Sequence, residues 1–152
     1  MDGIPDGGMA PHPFSLRALA PANAGNERGK RTREWKMTDG PQVSVYRRLK
    51  GERFASHFHM GFDPSKNPER FLLLAGVMYA EFLDRDGNEW RATLDAGSGP
   101  VELVMQPWVL HRMQALEECV YVEYRVKPFD PSAPDTYPAA EFPRQFGRHP
   151  EW

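Results

Sequence analysis

Apolar and polar positions alternate with period two along Val43-Ser-Val-Tyr-Arg47, the mark of a strand with one buried face. Aromatic and aliphatic residues crowd 53–60 and 69–77, and two further runs, 78–83 and 89–94, flank Asp84-Arg-Asp-Gly-Asn88. The Asp86-Gly87 pair predicts a hairpin there, because these residue types tolerate the positive φ of tight hairpin turns. Runs over 101–105 and 119–126 complete the set. No segment carries sustained helical periodicity behind a capping residue. Short strands separated by turns predict an all-β barrel or sandwich.

The two ends of the chain break this pattern. Residues 1–41 are punctuated by Gly and Pro with little periodicity, which predicts an extended N-terminal arm anchored by Phe14, Leu16, Leu19 and Trp35. Residues 128–152 carry six prolines, with Phe129, Tyr137, Phe142, Phe146 and Trp152 between them. They predict a proline-rich strap pinned by aromatics. The barrel domain is therefore expected at 42–127. Such arms suit exchange between subunits, so a homodimer is the expected assembly.

Composition narrows the function classes. A chain of 152 residues supports one domain with a sizeable core. The net charge of -2 gives no electrostatic reason for a nucleic-acid partner. Nothing approaches the run of about 18 apolar residues that a membrane helix needs, so no membrane partner is expected. Asp2 and scattered Pro and Gly stand where a secretory signal would be basic and then apolar, which leaves a cytoplasmic location as the default expectation. Cys119 is the single cysteine and lies in an apolar run, so it reads as a buried structural thiol. Arg28, Lys30, Arg31 and Arg33 read as a solvated stretch of the arm.

The candidate chemistry lies in the histidines. His57 and His59 are two residues apart, and in a strand such residues face the same way, so both rings can approach one point inside a barrel. Arg53 shares their parity and is expected in the same cavity, where it would suit a carboxylate or phosphate on a substrate. Tyr79 and Glu81 would be proton-moving groups if their face turns inward. On 119–125 one face carries Tyr121, Glu123 and Arg125, and a solvent-facing placement is the expectation for it. Trp108 is expected to pack against a strap.

The spacing Gly51-x5-His57-x-His59, followed by Glu69-x6-Gly76, resembles the first motif of the cupin superfamily, G-x5-H-x-H-x(3,4)-E-x6-G, at every fixed residue. The departure is the interval between His59 and Glu69, nine residues of turn formers that read as an inserted loop. Asp63 sits nearer the family's carboxylate position, but it precedes Pro64 inside the turn, and Glu69 begins the strand that reaches Gly76 in register. The second motif, G-x5-P-x-G-x2-H-x3-N, is matched only by Gly99, Pro107 and His111; Val109 replaces its glycine and its asparagine is missing.

The resemblance implies a small single-domain cupin barrel, a double-stranded β-helix or jelly roll. It also implies a divalent metal held by His57, His59, Glu69 and His111. Three imidazoles and a carboxylate suit Fe, Mn, Ni, Co or Zn alike; Fe is preferred on family habit. Four protein ligands on an octahedral ion leave two positions open, as catalysis requires. The fold hosts many reactions. The leading expectation is a metal-dependent enzyme acting on a small polar metabolite, with a dioxygenase placed ahead of a non-redox isomerase, epimerase, lyase or dehydratase. A non-catalytic ligand-binding barrel is the alternative.

Overall fold

A computed structural model describes residues 33–36 and 42–147. Among them, ten strands form two five-stranded antiparallel sheets. The first holds, in spatial order, β1 (Arg33–Lys36), β2 (Gln42–Arg48), β9 (Cys119–Arg125), β4 (Glu69–Ala75) and β7 (Val101–Met105). The second holds β10 (Tyr137–Pro138), β3 (Arg53–Phe58), β8 (Leu110–Ala115), β5 (Val77–Leu83) and β6 (Glu89–Asp95). Two short 3₁₀ turns, Pro64–Lys66 and Ala139–Glu141, are the only helical elements among the described residues. None of these is long and apolar enough to cross a membrane.

The faces turned toward each other carry the core. Phe71 and Leu73 on β4, Met78 and Ala80 on β5, Met113 and Ala115 on β8, and Tyr121 on β9 form one cluster between the sheets. Removing such side chains from water, at about 25 cal/mol per Å² of apolar surface, is what holds two sheets together. The chain passes from the first sheet to the second at Gly76, between β4 and β5. Its φ is +87°, and a Cβ there would lie 2.1 Å from the Glu118 carbonyl oxygen. Only glycine fits both demands. The predicted hairpin forms between β5 and β6, where the Asp84 carboxylate accepts from the Asp86 and Asn88 amides.

β8 was not anticipated as a strand, yet it lies at the centre of its sheet, between β3 and β5. Its residues Met, Gln, Ala and Leu are good helix formers, and burial between two strands overrides that propensity. The arm expected at 1–41 contains a strand, with β1 pairing along β2; the rest of that arm, including Phe14, Leu16 and Leu19, lies outside the described residues, as does Trp152. Aromatic rings of the C-terminal segment meet Phe58. Tyr137 stacks on Phe58 at 5.3 Å, Phe142 meets the same ring edge-on at 5.0 Å, and Trp108 packs beside them at 5.5 Å. Phe129, by contrast, is 42% exposed.

Candidate metal centre

β3 is irregular, and the irregularity aims the histidines. Its register against β8 shifts between Phe54 and His57, and Ala55 inside that shift has φ +60°. The bulge advances the alternation by one residue. Phe54 and His57 therefore share the inner face, and Arg53 is turned out to solvent. The expected placement of Arg53 in the cavity is corrected by this bulge, because strict period-two parity fails across it.

His57 pairs directly with His111 across β3 and β8, and their rings meet at 4.7 Å. His59 follows just beyond the end of β3, its ring 4.8 Å from His57 and 5.4 Å from His111. Glu69, at the start of β4 on the opposite sheet, completes the group. One ligand atom from each of His57, His59, Glu69 and His111 lies within 4.8 Å of the others. Metal–ligand bonds of about 2.0–2.2 Å put ligand atoms up to roughly 4.4 Å apart. The four groups thus fit one ion after a small contraction.

The hydrogen bonds choose the tautomers. His111 Nδ1 donates to the Val109 carbonyl at 3.0 Å, and His59 Nδ1 donates to the Asp135 carbonyl. A carbonyl oxygen only accepts, so each Nδ1 carries a proton and each neutral ring keeps its lone pair on Nε2. Backbone carbonyls that accept from the other ring nitrogen orient metal-binding imidazoles in this way. His59 Nε2 stands 2.9 Å from Glu69 Oε2, and His111 Nε2 stands 3.5 Å from the same oxygen. Among the described residues, His111 Nε2 is buried without a hydrogen-bond partner. Two lone pairs facing a carboxylate oxygen fit a shared cation at that point. The donor set matches a divalent ion.

Electrostatics keep the group ready to ligate. Burial, with the neighbouring His111 and His59, pushes His57 down to about 2. Burial likewise takes His111 down to about 4, although Glu69 pulls the other way. Both rings are therefore neutral near pH 7. Burial alone would raise Glu69, but its close contact with His59, the Lys66 ammonium and the neighbouring His111 outweigh it and hold the carboxyl well below its usual range. Burial disfavours the charged form of Lys66 in turn, yet Glu69 and Glu123 raise it overall.

Lys66 and Asp135 were missed by the sequence reading. Lys66 ends the 3₁₀ turn of the inserted loop and bonds both Glu69 Oε1 and Glu123 Oε1, the latter at 2.8 Å. Asp135, in the strap, accepts from the amides of Met60, Gly61 and Asp63 at 2.8–3.0 Å. It thereby fixes the loop that follows His59. The signal for both was faint: one lysine among turn formers and one aspartate between prolines. Asp63 caps the same 3₁₀ turn through the Ser65 amide and pairs with Arg125.

Two cavities meet at the cluster. One, of about 140 Å³, is walled chiefly by Phe54, Phe71, Met105, Met113 and Tyr121. The other, of about 270 Å³, is lined by Gln42, Lys66, Glu123, Arg125 and Thr136 beside His57, His59 and Glu69. The polar face of β9 thus looks inward, against expectation. Its opposite face, with Val120, Val122 and Tyr124, is the one left toward solvent. Tyr79 and Glu81 are not brought to the cluster. They share the outer face of β5 with Leu83, and Glu81 is held there by Tyr79 Oη at 2.9 Å and Arg112 Nε at 2.6 Å.

No protein-family model and no curated protein matches the chain. Solved structures do. The capsular polysaccharide assembling protein CapF from Staphylococcus aureus overlays at a TM-score of 0.61, with 22% identity, over 81% of this chain and 33% of that one. An oxalate decarboxylase from Lactobacillus farciminis, solved as a formate complex, overlays at 0.52 with 13% identity, over 83% of this chain and 37% of its own. A cupin superfamily protein from Desulfitobacterium hafniense DCB-2 overlays at 0.45 with 12% identity, over 64% and 76%. This chain spans about a third of the CapF and decarboxylase chains. At these identities the CapF and decarboxylase overlays show likeness of fold alone.

Proposed function

We propose that this cupin-fold chain is a divalent-metal enzyme acting on a small polar metabolite, with His57, His59, Glu69 and His111 as the metal ligands. The observation that carries the reading is the convergence of these ligands with two imidazoles locked, through Nδ1, to present Nε2. A bound ion, with Fe ranked first among Fe, Mn, Ni, Co and Zn, would offer open positions for substrate and O2 in a dioxygenase, or Lewis acidity in a non-redox isomerase, epimerase, lyase or dehydratase.

The chain's own residues divide the remaining work. Phe54, Phe71 and Met113 give one side of the cluster an apolar wall. Glu123 and Lys66, paired at 2.8 Å beside the larger cavity, are a proton acceptor and a proton donor within reach of a substrate there. That pair favours the non-redox branch as a second reading, since oxygenation needs no such couple. Arg53, Tyr79 and Glu81 have no part in the proposed reaction.

The test is metal content by mass spectrometry on protein purified without chelators or a histidine tag, for the wild type and His57→Ala. The reading expects near-stoichiometric metal that falls in the variant. Iron would direct the next assay to O2 consumption with candidate substrates, and a redox-inert metal would direct it to proton exchange. A wild type that takes up no metal even after reconstitution contradicts the proposal.

A further inference from the structure

The larger cavity carries more than water-filling side chains. Arg125 is 5% exposed, and its guanidinium is anchored by Asp63 on one terminal nitrogen and lies 3.5 Å from Glu123 through the other. Among the described residues, its Nε is buried with no hydrogen-bond partner. Leaving such a donor buried and unsatisfied is costly, the more so on a charged group, so a partner is expected. Lys66 has three N–H donors, of which Glu69 and Glu123 take two. Thr136 adds a hydroxyl to the same wall. Two cations and a hydroxyl, with the Glu123 carboxylate that faces both cations, thus line a space of about 270 Å³ that also touches His57, His59 and Glu69.

We propose that this cavity is a carboxylate subsite: the substrate is a short organic acid whose carboxylate is held by Arg125 and Lys66 while another of its oxygens reaches the metal. The proposal rests on the metal-centre reading and adds the substrate class to it. The inserted loop between His59 and Glu69 then has a purpose, because it carries Lys66 into the site and supplies Asp63 to hold Arg125. The cavity is below the usual range of about 300–1,000 Å³ for drug-sized ligands, which suits an acid of few carbons. Guanidinium and ammonium together suit a carboxylate, which accepts several charge-assisted hydrogen bonds at once.

The test uses the full chain loaded with cobalt(II), whose visible spectrum reports a change in the metal's ligands. The probes are straight-chain dicarboxylates from oxalate to glutarate, each beside its neutral diamide. The proposal expects at least one diacid to shift the spectrum saturably while its diamide does not. Arg125→Lys, which keeps the charge opposite Asp63 but removes Nε, should weaken that diacid about tenfold or more with cobalt stoichiometry unchanged. Thr136→Val should weaken it less. Cobalt bound one to one with no response to any diacid would overturn the subsite and leave the metal centre standing. So would an Arg125→Lys affinity equal to the wild type's. Failure to bind cobalt at all would overturn both readings together.

Discussion

Two buried carboxylates lie in different sheets of the same barrel, Glu69 on the inner face of β4 and Glu81 on the outer face of β5. Glu81 is 2% exposed and Glu69 is 6% exposed, so burial does not distinguish them. Their partners do. Glu81 faces Arg112 at 2.6 Å, Arg91 at 3.5 Å and the Tyr79 hydroxyl at 2.9 Å, all of them proton donors. Glu69 meets a cation, Lys66, on one oxygen only; its other oxygen faces the Nε2 atoms of His59 and His111. A carboxylate surrounded by donors is a structural tie. One set against imidazole lone pairs is half of a metal site. The contrast teaches that a buried acid acquires its role from what its oxygens face.

Both carboxylates depend on the corner between β4 and β5, so the largest effect should come from there. Gly76→Ala forces a Cβ against Glu118 at a left-handed φ. It should cost about 4 kcal/mol or more, read as loss of a cooperative melting transition, and it should abolish both environments together. A well-folded Gly76→Ala would break the account of how the two sheets are joined.

The next variant separates the carboxylates. Glu81→Gln removes the buried charge that faces Arg112 and Arg91 and should lower stability by about 2–3 kcal/mol in urea. Metal content should stay at the wild-type level. Loss of metal in Glu81→Gln would erase the distinction drawn above.

The pH response sharpens the comparison from the imidazole side. In metal-free protein, His57 and His111 are lowered by burial, to about 2 and about 4. Below the unfolded value of about 6.5 the unfolded chain binds protons that the folded chain refuses, so stability falls as pH falls. The contribution is complete above pH 6.5 and is lost toward pH 4 for His111 and further for His57, at up to about 1.4 kcal/mol per pH unit and ring. Urea midpoints between pH 7.5 and 5 check this, and His111→Phe should flatten the slope.

The smallest effect concerns Cys119. Burial raises its thiol to about 11, and its sulfur lies against the Val77 and Glu117 carbonyls. A thiol reagent at pH 8 should leave the native protein unmodified and react fully only after unfolding. Rapid native labelling would show that this part of the core opens.

Much of the site was legible because spacing encodes it. Gly51 and Gly76 both adopt φ +87°, the two histidines follow Gly51 and Glu69 precedes Gly76 at motif intervals, so a poor second motif still pointed to His111. What escaped has local physical causes. The bulge at Ala55 inverts the parity of β3, and no residue type there announces a positive φ. The inward turn of Glu123 and Arg125 depends on cross-strand neighbours Ser44 and Gln42, which no periodicity reveals. Lys66 and Asp135 act through loops that lie close only once the barrel has closed.

The central claim is that Glu69 ligates a metal and Glu81 does not. The most direct measurement is a metal titration, followed by calorimetry, of metal-free wild type, Glu69→Gln and Glu81→Gln under one buffer. The account predicts one site in the wild type, the same site within a fewfold in Glu81→Gln, and at least a hundredfold weaker binding in Glu69→Gln, about 2.7 kcal/mol. Equal affinities in Glu69→Gln and the wild type would contradict it.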